Sequence, residues 1–237
     1  TDSTLNEAYT NALNESWRFS SNIEPFSDLR ITIEASHLAT SNLEQFYIYG
    51  DQGKFTAENA MYRGNFNMTI LSIGSAFEKL KAGNGYQSAT FETFKNNRTI
   101  ISQRLAEQRL SKQIPRSPAY DPNASTTPGY TNGYGPTSLD VLIPAFMAAY
   151  TNKNANLVSL SAMPGVLSMM PNWKIQYGGL QRQQFIKKYL KQFNINHSYR
   201  STYSVGSYTT NLFYDPDVHD GLNYVRDVQD NFLPERE

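Results

Sequence analysis

Hydrophobic and polar residues alternate in two consecutive stretches near the start of the chain. Residues 17–24 and 29–40 place apolar side chains at nearly every second position, which is typical of a half-buried β-strand. The tetrapeptide between them, PFSD at residues 25–28, has the composition of a turn, so the pattern predicts an antiparallel hairpin over residues 15–40. Similar patterns near residues 43–49 and 64–77 predict further strands, and residues 1–87 are interpreted as one strand-forming region.

Residues 193–214 continue the alternation over a much longer stretch. A single strand of that length would extend over about 70 Å, at about 3.3 Å per residue, whereas strands of globular proteins usually have about 3–10 residues. The apolar positions change parity at Gly206 and Ser207, and a glycine inside a strand often marks a bulge or bend. The stretch is therefore either two strands joined tightly at Gly206 or one long strand that crosses a membrane and projects beyond it.

The middle of the chain follows a different period. Ser88 can cap a helix over residues 88–110, and residues 112–136 form a long loop that contains five of the eleven prolines. Residues 138–150 predict a short helix that is apolar on more than one side, so we expect it to be buried. Residues 88–170 are interpreted as a helix-and-loop insertion between strands. The expected buried positions of the second helix are Leu142, Ile143, Phe146 and Met147.

Composition narrows the classes of function. The formal net charge is zero, so no basic surface for nucleic acid is indicated. The chain contains no cysteine, which excludes disulfides and thiolate metal sites, and it has no apolar run long enough for a transmembrane helix. Only 18% of residues are charged while 13% are aromatic, a balance that suits extracellular and outer-membrane β-proteins. Because the chain begins at Thr1 without a signal peptide, it is interpreted as a piece of a longer protein.

No catalytic or cofactor motif is present in the sequence. It lacks a Gly-x-Ser-x-Gly elbow, a phosphate-binding glycine loop and a His-Glu-x-x-His zinc motif, so we expect a non-catalytic protein without cofactor or metal. Arg98, Arg104 and Arg109 are interpreted as a solvated helix face, with a pore lining as the functional alternative. Tyr120, Tyr130 and Tyr134 of the proline-rich loop are interpreted as part of a solvated or self-packed loop. Alternatively they could stack on a sugar or a peptide, which would suit a soluble, β-rich extracellular surface protein that binds a glycan or a protein partner.

Alternation alone does not distinguish these classes. A half-buried antiparallel sheet of a soluble protein shows the same period as a membrane-spanning strand. A membrane-spanning strand needs about 9–11 residues with apolar residues outside, polar residues inside and aromatic residues at both interfaces. The stretch at residues 193–205 has that length, and Trp17 and Trp173 are suitable interface residues.

Several longer strings resemble the SprA (Sov) family, the giant outer-membrane translocon proteins of the bacterial type IX secretion system. These strings are FKNNRTIISQRL at residues 94–105, YGPTSLDVLIPAFMAAYT at 134–151, MPNWKIQYGGL at 170–180, HSYRSTYSVGSYTTNL at 197–212 and GLNYVRDVQDNFLP at 221–234. They occur in the order expected for that family and cover most of the chain. Residues 1–14 and the loop between residues 112 and 133 are covered least.

The resemblance implies a mainly β fold, in which the chain is an antiparallel segment of a very large transmembrane β-barrel. Residues 88–170 would be an insertion at the barrel mouth or in the lumen, and residues 171–237 would add further strands and a connecting loop. The barrel would conduct folded cargo proteins across the bacterial outer membrane to the cell surface, with a link to gliding motility. Its implied partners are the other strands of the parent polypeptide, outer-membrane lipid, a PorV-type shuttle protein, a periplasmic plug protein and the cargo.

A barrel wall gives each strand position an expected side. The apolar side of each strand would face lipid, the polar side would face the lumen, and Gly206 would be a strand bend. The expected lipid-facing residues are Trp17, Phe19, Ile23, Leu29, Ile31, Ile33, Ile195, Tyr199, Tyr203 and Val205; the expected lumen-facing residues are Arg18, Arg30, Thr32, Glu34 and Arg200.

Overall fold

The computed structural model describes residues 8–49, 53–80, 83, 85 and 87–237. These residues form two compact units: the first comprises the chain up to Leu71 together with residues 165–208, and the second comprises residues 72–164 and 209–237. The first unit is a mainly antiparallel sheet of six strands, and the second contains most of the helical residues. The strands are β1 (Tyr9–Phe26), β2 (Leu29–Tyr49), β3 (Phe55–Thr69), β4 (Asn172–Tyr177), β5 (Ile195–Tyr199) and β6 (Thr202–Thr209).

The predicted hairpin is confirmed and is longer than expected. β1 pairs with β2 in an antiparallel register from Tyr9 opposite Gln45 to Phe26 opposite Leu29, so only Ser27 and Asp28 form the turn. The register shifts between Ile23 and Phe26, where the bulge holds Pro25, a residue that has no N–H to donate to the ladder. β2 continues without a break to Tyr49. The strand that was expected at residues 43–49 is therefore the end of β2.

β3 and β4 lie in line along the same edge of β2. β3 pairs with β2 from Tyr49 to His37, and β4 pairs with β2 from Glu34 to Leu29. Together they form one strand that is interrupted by residues 70–171. Met170 donates its backbone N–H to the Thr69 carbonyl at 3.0 Å, which brings the two ends of the interruption together.

The strand predicted at residues 64–77 has the wrong bounds at both ends. The observed strand β3 begins at Phe55 and ends at Thr69, and residues Ile73–Ala76 form a helical turn, α1. The physical reason is competition for the same edge, because β4 occupies the positions opposite Leu29–Glu34 that a longer β3 would have used.

β5 and β6 follow the interrupted strand on its far side. β5 pairs with β4, and β6 is the neighbour of β3. The break between β5 and β6 falls at Arg200 and Ser201, beside the interruption between β3 and β4. Two tightly joined strands are therefore present, but their junction is not at Gly206, which lies inside β6. The sheet is thus an antiparallel meander with four side-by-side strand positions. They are occupied in order by β1, by β2, by β3 and β4 end to end, and by β5 and β6 end to end.

The second unit is built on α2 (Ala89–Lys112) and α3 (Leu139–Tyr150). The predicted cap is confirmed, because the Ser88 hydroxyl accepts the Phe91 N–H at 3.0 Å. The fully buried side chains of the two helices include Ile101 and Val141, which form part of the core. Residues 209–237, which the sequence had grouped with further strands, belong to this unit and make only isolated β-bridges after β6.

The helix α3 is buried on a different side from the expected one. Met147 is buried, but Leu142 and Ile143 are half-buried and Phe146 is 40% exposed. The buried positions are instead occupied by smaller residues, which allow α3 to pack closely in the core. They include Val141, Pro144, Ala145, Ala148 and Ala149. Within the described residues, no helix is both long and apolar enough to cross a membrane.

Candidate functional site

Mostly apolar side chains from four neighbouring strands lie in rows on one face of the sheet. Residues that are directly opposite in an antiparallel ladder share a face, so the strand registers define these rows. Each row runs from β1 through β2 and β4 to β5. The rows are Phe26, Leu29, Tyr177 and Ile195; then Ile23, Ile31, Ile175 and His197; then Ser21, Ile33, Trp173 and Tyr199. Phe19 and Trp17 continue the same face along β1.

This apolar face is exposed over much of its area. Trp17, Phe19 and Phe26 are 53–54% exposed, and Ile23 and Ile195 are 43% and 41% exposed. The remaining expected lipid-facing residues are half-buried: Leu29, Ile31, Ile33, Tyr199, Tyr203 and Val205. Aromatic contacts support the rows, since Trp173 stacks on Tyr199 with ring centroids 4.4 Å apart. All of the expected lipid-facing residues on β1, β2 and β5 therefore lie on one face of the sheet.

The opposite face of the same strands is polar. Arg30 forms an ion pair with Glu24 at 2.7 Å, and the Thr32 hydroxyl donates to the Asn22 side-chain oxygen at 2.8 Å. Between β4 and β5, the Gln176 amide donates to the Asn196 side chain at 3.3 Å. These contacts form a polar ladder across the sheet.

Three of the expected lumen-facing residues meet at one recess on the polar face. Arg18, Glu34 and Arg200 line a concavity of about 440 Å³, together with Asn172 and Thr69. Arg18 lies on β1, Glu34 lies on β2, and Arg200 lies at the break between β5 and β6. The recess opens at the interruption between β3 and β4. Two cationic side chains and one carboxylate therefore line this part of the polar face. The sequence predicted the side of each residue but not this convergence, which depends on the interruption.

A tyrosine from β6 crosses the interrupted strand. The Tyr208 hydroxyl donates to the Thr40 backbone carbonyl of β2 at 2.8 Å. It passes over Gly64 of β3, where an added Cβ would lie 2.6 Å from that hydroxyl and would overlap the Thr40 carbonyl. Sequence reasoning missed this contact, although an isolated glycine in a strand is a known sign of close approach.

The same contact explains the change of parity at Gly206. Tyr203 packs on Phe66 of β3 with ring centroids 5.9 Å apart, and Tyr208 packs over Gly64 of the same strand. Because Gly64 and Phe66 are two positions apart on β3, both tyrosines lie on the same face of the sheet. The two tyrosines are five positions apart, an odd number, so strict alternation would place them on opposite faces. The alternation therefore shifts between Val205 and Tyr208, as the sequence indicated, although β6 is continuous through Gly206.

The three arginines of α2 in the second unit bind loop carbonyls. Arg98 donates to the Pro136 carbonyl at 3.3 Å, and Arg104 donates to the Ala155 and Val158 carbonyls at 2.6 and 2.9 Å. The interpretation as a solvated face is wrong for Arg109, which is buried, whereas Arg98 and Arg104 are half-buried. The signal that could have found it is the four-residue spacing of the buried positions Asn97, Ile101, Leu105 and Arg109.

Arg109 is held in an aromatic cage. It is 3% exposed, and its guanidinium carbon lies 3.7 Å from the ring centroid of Phe232 and 4.4 Å from that of Tyr224. Its Nη2 donates to the Asn223 carbonyl at 2.8 Å. Cation–π attraction and a charge-assisted hydrogen bond offset part of the cost of removing the guanidinium from water. Arg109 thereby fastens α2 to residues 209–237.

Tyrosines of the proline-rich loop face inward. Tyr134 is 7% exposed and contacts the ring of Phe232, and the Tyr120 hydroxyl donates to the Asn132 carbonyl at 2.8 Å. Burial raises the pKa of Tyr120 to about 12. These two rings pack against Phe232 within the second unit, and Tyr130, the third tyrosine of the loop, is half-buried.

Asp140, at the start of α3, lies in a recess of about 300 Å³ that also contains Glu235. Burial, and secondly the nearby Glu235 carboxylate, raise the pKa of Asp140 from 3.8 to about 6. Between these two pH values the folded state retains a proton that the unfolded state releases. The free energy of unfolding should therefore fall as pH rises from about 4 to about 6, by at most about 3 kcal/mol from this group.

Asp140→Asn should remove this loss, because the amide carries no charge at any of these pH values. We expect the variant to match the parent chain near pH 4 and to be more stable at pH 7. The measurement is urea denaturation of the full chain followed by far-ultraviolet circular dichroism at several pH values. Glu107→Gln, at an exposed position of α2, is the control for loss of one carboxylate; an equal gain in that variant would contradict the assignment to Asp140.

A scan of the chain against protein-family models finds no match, and a search of curated proteins finds no significant relative.

Proposed function

We propose that this chain is a wall segment of a large transmembrane β-barrel, and that this barrel is the outer-membrane pore of a SprA (Sov)-like type IX secretion translocon. In this role the chain is non-catalytic and forms part of a conduit for folded cargo proteins. The observation that carries the proposal is the amphipathic sheet, whose exposed apolar rows and polar opposite face belong to the same strands. The sequence resemblance supplies the choice of translocon.

The apolar face has the dimensions and composition of a lipid-facing band. The ten residues from Trp17 to Phe26 span about 30 Å of strand, and tilted barrel strands display an apolar band about 25 Å tall. In water, exposed rings at this density would be unfavourable, because each square ångström of apolar surface costs about 25 cal/mol. Acyl chains would remove that cost. Aromatic side chains stand at both ends of the band, with Trp17 at one end and Phe26 and Tyr177 at the other.

The sheet edges support a longer parent. Within the described residues, β1 pairs only with β2, and β5 pairs only with β4. β6 pairs with β3, and its last residue, Thr209, also exchanges backbone hydrogen bonds with Glu237. Open edges present unpaired backbone donors and acceptors, which a barrel removes by closing on itself. Further strands of the parent polypeptide are therefore the proposed neighbours of both edges.

The polar face would line the pore, and the second unit would serve at the barrel mouth or in the lumen. The recess lined by Arg18, Glu34 and Arg200 would then lie on the water-filled side. By resemblance, the proposed partners are a PorV-type shuttle protein, a periplasmic plug protein and the secreted cargo, and the proposed location is the bacterial outer membrane and cell surface. A link to gliding motility also rests on the resemblance alone.

The two tryptophans of the chain offer a direct test, because Trp17 and Trp173 both lie on the apolar face. The full chain is refolded into lipid vesicles, and tryptophan fluorescence is measured with brominated acyl chains, which quench on contact. We expect strong quenching by brominated lipid and weak quenching by aqueous iodide.

The control places a tryptophan on the polar face. In a chain with Trp17→Phe and Trp173→Phe, the substitution Lys174→Trp should give the opposite pattern, because Lys174 points to the polar side. Equal quenching of both faces by iodide, with none by brominated lipid, would favour the soluble surface protein and contradict the proposed barrel wall. Of the tyrosines that this alternative would use to stack on a ligand, Tyr120 and Tyr134 pack within the second unit.

A further inference from the structure

The connection between β4 and β5 combines exposed aromatic residues with an excess of positive charge. Residues 178–194 contain four basic side chains and no acidic one. Their only regular elements are a 3₁₀ turn at Gly179–Arg182 and the short helix α4 (Gln184–Tyr189). Phe185 and Tyr189 are 75% and 68% exposed, and their rings meet edge to face with centroids 5.5 Å apart.

The basic residues of this connection divide into two kinds. Arg182 forms an ion pair with Asp28 of the β1–β2 turn at 2.7 Å. The other three, Lys187, Lys188 and Lys191, are exposed, and they form no ion pair with any other described part of the chain. Three positive charges are therefore presented to the surroundings beside two exposed rings.

The connection is held firmly at one end of the apolar band. Gly178 donates its backbone N–H to the Asp28 carbonyl at 2.9 Å, and the Tyr177 ring packs directly over Gly179. The same Tyr177 ring meets Phe26 edge to face at 6.2 Å. The lysines and exposed rings therefore lie next to the last row of the apolar face, which contains Phe26 and Tyr177. In the proposed barrel wall, lipid headgroups would begin at this level.

We propose that residues 178–194 form an interfacial anchor, which binds anionic lipid headgroups through Lys187, Lys188 and Lys191 while Phe185 and Tyr189 enter the boundary of the acyl chains. This inference rests on the proposed function. Exposed aromatic rings flanked by lysines are favourable at a membrane interface, because the rings leave water while the ammonium groups remain among phosphates. The absence of acidic side chains makes the segment complementary to an anionic surface.

The test uses the full chain in vesicles, with a tryptophan introduced at one position. In a Trp17→Phe and Trp173→Phe background, Phe185→Trp reports on the connection. Brominated phosphatidylglycerol in a neutral host is compared with brominated phosphatidylcholine in an anionic host at the same mole fraction. We expect quenching that is strongest for bromines near the headgroup, with at least fivefold enrichment of the anionic lipid, since one basic residue near the surface contributes about that factor.

The charge requirement is tested by a triple variant. Replacing Lys187, Lys188 and Lys191 with Gln should abolish the enrichment of phosphatidylglycerol around the introduced tryptophan. The matched control replaces three exposed lysines elsewhere, Lys54, Lys79 and Lys153, with Gln. It removes the same net charge and should leave the enrichment unchanged.

The outcomes separate this inference from the proposed function. If Trp17 and Trp173 of the parent chain are quenched by brominated lipid but the tryptophan introduced at position 185 is not, the anchor is overturned and the barrel wall stands. If none of the three is quenched, both are overturned. Equal quenching by the neutral and the anionic lipid, or an equal loss in the control triple variant, overturns headgroup binding. Binding of a soluble polyanion without any lipid quenching also overturns it.

Discussion

Gly64→Val should prevent the sheet from forming its native register. A Cβ at Gly64 would overlap the Thr40 backbone carbonyl and lie 2.6 Å from the Tyr208 hydroxyl. The tyrosine could turn away, but a backbone carbonyl within a paired strand cannot move without breaking its ladder. Overpacking usually costs about 1–3 kcal/mol, and we expect at least about 3 kcal/mol here because backbone must shift. The measurement is the free energy of unfolding of the full chain in urea.

Gly206→Val is the matched control, since it makes the same substitution in the neighbouring strand β6. A Cβ at Gly206 meets no atom within 4 Å, so this variant should be tolerated even though the parity of the strand changes there. A chain in which both variants are equally stable would contradict the close approach of Tyr208 and Thr40. If only Gly206→Val is destabilised, the glycine that the sheet requires is Gly206, where the sequence pattern changes parity, and not Gly64.

Ile33→Arg should strongly reduce insertion of the chain into lipid vesicles. Ile33 lies on the apolar face between Ser21 and Trp173, inside the band that we propose to face acyl chains. An arginine near the bilayer midplane of a barrel costs about 2–4 kcal/mol, and the cost falls towards the interfaces. The measurement is the fraction of chain that resists urea extraction from the vesicles.

Thr32→Arg tests the other face at the adjacent position. Thr32 lies on the polar side, directly opposite Lys174 of β4, where an arginine head group would stay in water. Like charges in directly opposite positions cost about 0.2–1 kcal/mol, so a small effect remains expected. If both arginine variants insert equally well, the apolar face does not contact lipid.

The local pattern of the sequence was sufficient for much of the sheet. Alternation at residues 17–24 and 29–40 predicted the hairpin, because hairpin pairing depends on side-chain period and a nearby turn. The same period assigned Trp17 and Ile33 to one face and Arg18 and Thr32 to the other. The registers place them in that way. The serine cap of α2 was also a local signal, since it involves residues three positions apart.

Errors arose wherever a distant segment competed for the same position. Residues 70–77 have an alternating pattern, yet β4 takes the edge of β2 that they would have used, and β4 lies about a hundred residues further along the chain. Arg109 has the sequence context of an exposed helical charge, yet Phe232 and Tyr224 enclose it. Neither partner can be identified from the residues adjacent in sequence.

The burial of α3 shows a related limit. An apolar helix of this composition is recognisable from its sequence, but which side faces the core depends on the shape of what it meets. Ala145, Ala148 and Ala149 are buried and Phe146 is exposed, because close helix packing favours small side chains at the contact. The predicted residues Leu142 and Ile143 lie at the margin of the contact.

The residue pattern was enough to assign the two faces of β1, β2 and β5, because a period of two is a property of the extended backbone. It also determined the capped start of α2, which involves only neighbouring residues. Three features could not be predicted from the residue pattern: β3 and β4 share one edge of β2, Tyr208 reaches Thr40 across Gly64, and Arg18, Glu34 and Arg200 meet at one recess. These features require residues far apart in the chain to occupy the same small volume, and pairing and packing between distant segments select them.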